Sequence, residues 1–193
     1  MAKRKYEFRP DKPNSGLLNK LYLTKKQRLS LLKWLLYSGF LLVLSILQDV
    51  ILCRVDIFGA TTDLLPCAIF LICVYQGTET GSVFALVAAC MYQFSGTAPG
   101  YYVIVLITTL ALVATMFRQS YLRKSLSSDL LCAGTVLVLY ELLLFGITAV
   151  MGLVSAQRLP TFLVTAVLSL VAMPVFYPII LSIEKIGGET WKE

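Results

Sequence analysis

The chain has 193 residues, of which 58% are hydrophobic and 15% charged, and its mean hydropathy is +0.77. Soluble domains carry roughly 25% charged residues, so this composition excludes a water-soluble globular domain and asks for a bilayer, whose hydrocarbon of about 30 Å takes roughly 20 apolar residues per spanning helix. The formal net charge of +6 comes from 17 Lys and Arg against 11 Asp and Glu, and the complete lack of His removes the commonest general base and the commonest metal ligand together.

Residues 1–29 form a basic N-terminal segment. Ten basic residues precede Leu35, namely Lys3, Arg4, Lys5, Arg9, Lys12, Lys20, Lys25, Lys26, Arg28 and Lys33, and such a cluster before the first span predicts a cytoplasmic N-terminus. Residues 1–16, with Pro10 and Pro13, are assigned no structure. Residues 17–33 mix leucines with lysines at near-helical spacing, which reads as a helix in the headgroup layer or as a solvated linker. Lys20, Lys25, Lys26, Arg28 and Lys33 are the candidate contacts to anionic lipid, which attracts such side chains by about 1 kcal/mol each. Lipid is preferred to nucleic acid as the partner of this charge. No signal peptide is predicted, because the first apolar run starts late, is long and lacks a small-residue cleavage site.

Six spans are predicted in a transmembrane domain at 30–185: Ser30–Leu52, Ile57–Tyr75, Thr78–Phe94, Tyr101–Phe117, Leu130–Val154 and Phe162–Ile183, followed by a short cytoplasmic tail at 186–193. The fold class is therefore an all-α polytopic membrane bundle with both termini cytoplasmic. The third span is the shortest, and charge decides its status. With six spans, fifteen of the 17 Lys and Arg fall inside and only Arg54 and Arg158 outside; without the third, Arg118, Arg123 and Lys124 would move outside against the positive-inside rule.

Glu141 lies near the middle of the fifth span in the run VLVLYELLLFG, where an acid costs at least about 2.5 kcal/mol on insertion scales, so it is expected to face protein. It reads either as a proton, cation or partner-helix site, or, preferred here, as a carboxyl that pins helices through Tyr, Thr or Gln neighbours. Gln48 and Asp49 close the first span. Asp63, after Thr61 and Thr62, reads as an acidic helix cap with Pro66 in the first turn. Gly77, Gly81, Ala85 and Ala89 recur every four residues and continue to Gln93, a stripe that lets a neighbouring helix approach closely, within this chain by default or in a partner. Gln93 then opens the loop SGTAPG.

Cys53, Cys67, Cys73, Cys90 and Cys132 form no C-x-x-C pair and read as packing residues. No phosphate loop, H-E-x-x-H or G-x-S-x-G motif is present. The acids are scattered in depth, so no paired-acid catalyst is predicted; neither enzyme activity nor a cofactor or metal is expected.

The segments SILQDVIL, IFGATTDLLPCAIFLICVYQG and YQFSGTAPGYY, in that order and spacing, resemble the bacterial rod shape-determining protein MreD family over roughly residues 30 to 185. In that resemblance Gln48 matches the family's polar residue near the end of the first helix, Asp63 the acid of its Pro-Asp-Leu start of the second, and Gly81, Gly96 and Gly100 its recurrent glycines. Thr62 stands where the family usually has proline, and Gln93 where it usually has an acid. The resemblance implies a non-catalytic scaffold of the cell-elongation machinery in the cytoplasmic membrane, bound to MreC and linked to the MreB filament and to RodA with its penicillin-binding partner. The family is similar in fold to the substrate-binding S-components of energy-coupling-factor vitamin transporters, which supply the alternative function. Those proteins commonly carry an A-x-x-x-A patch on the first helix, whereas Ser30–Leu52 contains no alanine.

Overall fold

A computed structural model describes residues 25–54, 60–96, 98–121 and 125–185. The expectations for the first 24 residues, including Lys20, and for the tail at 186–193 lie outside the described residues, as do Arg123 and Lys124. The fold is all-helical, with six α-helices among the described residues: α1 (Lys25–Val50), α2 (Leu64–Gln76), α3 (Thr78–Phe94), α4 (Tyr102–Tyr121), α5 (Leu126–Val150) and α6 (Leu159–Lys185). Four segments, Arg28–Val50, Tyr102–Tyr121, Leu126–Val150 and Ala156–Lys185, are long and apolar enough to cross a membrane, which marks a membrane protein.

Consecutive helices run up and down. Gln48 at the end of α1 meets Asp63 at the start of α2, Asp63 meets Tyr92 at the end of α3, and Arg118 near the end of α4 meets Asp129 in the first turn of α5. Lys33 of α1 reaches Glu184 of α6 at 2.7 Å, so α1 begins beside the end of α6.

The packing is that of a bundle in lipid. Large apolar side chains point outward along the long helices, with Leu35, Leu131 and Val171 about 70% exposed. In water such a surface would drive association; against hydrocarbon it carries no penalty. Exposed Tyr101 and Tyr121 bracket α4, as amphipathic rings do at the two interfaces.

The second helix departs from the expected Ile57–Tyr75. It begins at Leu64 and has 13 residues, eleven of them buried. At 1.5 Å per residue it rises only about 20 Å, short of the roughly 30 Å of hydrocarbon. Its sequence LLPCAIFLICVYQ carries no charge and no polar face, as befits a helix surrounded by protein. Expected and observed bounds coincide for α3, Thr78–Phe94, whereas α5 stops at Val150 because the chain turns through Gly152 at φ +72°.

A single residue, Gly77, separates α2 from α3, with φ 91° and ψ 179°, a conformation essentially restricted to glycine. The two helices therefore fold back as a tight hairpin. A Cβ on Gly81 would sit 2.8 Å from the Cys73 carbonyl oxygen of α2, and the Cys73 thiol donates to the Gly81 carbonyl at 3.2 Å. Because the obstacle is backbone, Gly81→Ala is expected to destabilise the bundle by about 1–3 kcal/mol. Gly146→Ala, where an added Cβ meets nothing within 4 Å, is the control. It is expected to be neutral or to stabilise by up to about 1 kcal/mol. Thermal unfolding of the two variants in detergent measures the contrast.

Candidate functional site

The polar residues of the bundle gather at its two ends. At the end away from α1's start, they are organised around the buried N-terminus of α2. A helix start leaves its first backbone N–H groups without intrahelical partners, and here each is satisfied by a side chain or by sequence. The Asp63 N–H donates to Ser169 Oγ of α6 at 3.1 Å, and the Leu64 and Leu65 N–H groups donate to Gln48 Oε1 of α1 at 3.1 and 3.2 Å. Pro66 has no N–H to satisfy. Gln48 thus caps α2 from another helix.

This corrects the expected role of Asp63. It occupies the N-cap position but makes no side-chain cap hydrogen bond. Its Oδ1 instead accepts from the Gln48 amide at 2.8 Å and its Oδ2 from the Tyr92 hydroxyl at 2.6 Å. The reason is burial: a bifunctional amide 6% exposed supplies the acceptor the helix needs and the donor the carboxylate needs in one side chain.

Above this helix start lies a cavity of about 480 Å³, bordered by Gln48, Asp63, Tyr92, Glu141 and a set of threonines from the α1–α2 connection, α5 and α6. It occupies the space that the short α2 leaves unfilled. Glu141 is 2% exposed, facing protein as expected from its place in α5. The pinning role is not what the geometry gives, because its Oε1 has no hydrogen-bond partner.

The opposite end holds ion pairs. Arg118 donates from Nη2 and Nε to the same Asp129 oxygen at 2.8 and 2.9 Å, with both side chains about 5% exposed. Glu184 accepts from Lys33 at 2.7 Å, from the Tyr37 hydroxyl at 2.9 Å and from the Gln76 amide at 3.0 Å, tying α1, α2 and α6 together. Lys33, expected at the lipid surface, is therefore committed to a partner within the bundle, because Glu184 offers a desolvated acceptor on the facing helix. Arg28 is exposed on α1; Lys25 and Lys26 begin that helix.

Of the stripe, Gly81, Ala85 and Ala89 are buried, and Gly77 and Gln93 are half-buried. These residues pack the hairpin within the chain, which leaves the three buried ones no surface for a partner. Asp49 is exposed and does not join its neighbour Gln48 at the cavity.

Tyr92, Ser169, Glu184 and the Arg118–Asp129 pair are the participants that sequence reasoning missed. A tyrosine or serine in an apolar run carries no mark of its own. In the sequence Arg118 counts only toward topology, and the signal that could have found the pair is Asp129 eleven positions on, of opposite sign across a short connection. Among the described residues no three of His, Cys, Asp and Glu converge as metal ligands.

Comparison of the chain with protein-family models, with curated proteins and with solved structures returns no match.

Proposed function

We propose that the chain is a non-catalytic scaffold of the bacterial cell-elongation machinery, of the MreD type. In this reading it crosses the cytoplasmic membrane six times with both ends in the cytoplasm, binds MreC, and through its helices or through MreC is linked to the MreB filament and to RodA with its penicillin-binding partner.

The observation that carries the reading is the 2.8 Å hydrogen bond between Gln48 and Asp63. These are the two polar marks on which the resemblance most depends, fifteen positions apart, and they form one device that seats α2. Gly81, a third mark, is used where α2 and α3 approach most closely. Charge supports the orientation: Arg28, Lys33, Arg118 and Lys185 lie at the end where α1 begins, and Arg54 and Arg158 at the other. In this reading the hairpin of α2 and α3 makes up the remaining two passes, with the short α2 held inside the protein rather than against lipid. With the small-residue stripe packed internally, partner helices meet the outward apolar faces of the long helices, where close packing rather than the hydrophobic effect drives association.

Depleting the protein in the organism that makes it is expected to turn rods into spheres, read by phase-contrast microscopy, and a mild-detergent pull-down is expected to retain MreC. Unchanged cell shape together with impaired vitamin uptake would replace the scaffold by the substrate-binding alternative.

A further inference from the structure

The buried acids of this bundle are treated in two different ways. At the end where α1 begins, Asp129 and Glu184 each have a cation within 2.8 Å. At the other end Asp63 and Glu141 border one cavity, and no Lys or Arg is among the described residues lining it. Asp63 receives hydrogen bonds from two neutral donors. Glu141 is 2% exposed and leaves Oε1 without any partner.

Burying acids without counter-charge is costly, and a buried carboxyl oxygen with no donor forfeits its hydrogen bonds as well. Intramembrane acids that persist generally face a partner or a pathway. A cation that also donates N–H groups would supply both what the charge and what the lone oxygen lack. The size of the space narrows its class. A volume of about 480 Å³ falls within the range of small-molecule sites, roughly 300–1,000 Å³, and far exceeds what a bare inorganic ion fills. The wall is mixed: Thr62 Oγ1 is likewise without a partner, while Leu144, Val154 and Phe162 offer an apolar side.

We propose that the cavity bordered by Asp63 and Glu141 is a binding site for a small organic ammonium ion, with the Glu141 carboxylate as its primary acceptor and its apolar body against Phe162 and Leu144. The site goes beyond the scaffold reading and does not depend on it, since cell shape and ligand titration are separate measurements.

The full chain in phosphatidylcholine nanodiscs is titrated by calorimetry with benzylammonium, propylammonium and butane-1,4-diammonium chlorides. Benzyl alcohol serves as the neutral counterpart, and sodium and potassium chloride as ionic controls. At least one ammonium is expected to bind saturably with one site per chain, and benzyl alcohol is not. Glu141→Gln, which keeps shape and removes charge, is expected to weaken binding at least tenfold with an unchanged elution volume. Val154→Trp, a substitution at the cavity wall outside the helices, is expected to abolish binding and provides the test should Glu141→Gln fail to fold. Absence of saturable ammonium binding, equal binding by Glu141→Gln or by Val154→Trp, or saturation by sodium or potassium with no ammonium effect would each overturn the proposal.

Discussion

Arg118→Ala is expected to destabilise the folded bundle by about 3–5 kcal/mol, the largest effect of any single substitution considered for this chain. The guanidinium donates twice to one Asp129 oxygen, at 2.8 and 2.9 Å, and neither side chain is more than 5% exposed. Truncation takes two charge-assisted hydrogen bonds from a desolvated carboxylate, and much of the cost is that of burying this charge with less compensation rather than the worth of the pair. The two explanations separate experimentally. Joint replacement, Arg118→Met with Asp129→Leu, removes both charges and is expected to recover a large part of the loss. Denaturant titration in mixed micelles, followed by intrinsic fluorescence, measures all three variants. A double variant as unstable as Arg118→Ala would mean that the pair itself, not relief of a buried charge, stabilises the α4–α5 corner.

Gln48→Leu is the second large effect. It removes the acceptor for two buried backbone amides and the donor to Asp63 Oδ1, and each buried group left without a partner costs about 1–3 kcal/mol. Gln48→Glu distinguishes capping from charge. It keeps an acceptor for Leu64 and Leu65 but turns a second acceptor toward Asp63, so like groups meet where an amide had donated. The glutamate variant is expected to rescue little of the stability. Full rescue would show that the contact with Asp63 is dispensable, and hydrogen exchange at Leu64 and Leu65 reports directly on the cap.

Several features were legible in the sequence because they are local. The bounds of α3, the four-residue recurrence of small residues and the inward position of Glu141 all follow from periodicity and from the cost of an acid in hydrocarbon. The start of α2 was legible in part: Asp63 as the cap with Pro66 in the first turn marks the observed start at Leu64, whereas the span drawn from Ile57 overshot it, and the cap hydrogen bonds come from Gln48 on another helix. The partners of Lys33 and of Tyr92 were hidden for the same reason, since Glu184 is 151 positions from one and Asp63 is 29 from the other. The cavity escaped notice because it is made by the shortness of one helix, a property that appears only once its neighbours are in place.

The brevity of α2 also bears on how the chain enters its membrane. Thirteen residues with eleven of them enclosed by protein present almost no surface to lipid and reach only about two thirds of the way across the hydrocarbon. Such a segment is poorly suited to partition into lipid alone. Its one-residue link to α3 suits the two to enter as a unit, and of the long helices packed on α2 only α1 precedes it, while α4, α5 and α6 follow. The chain order thus makes the burial of α2 depend on helices that come after it.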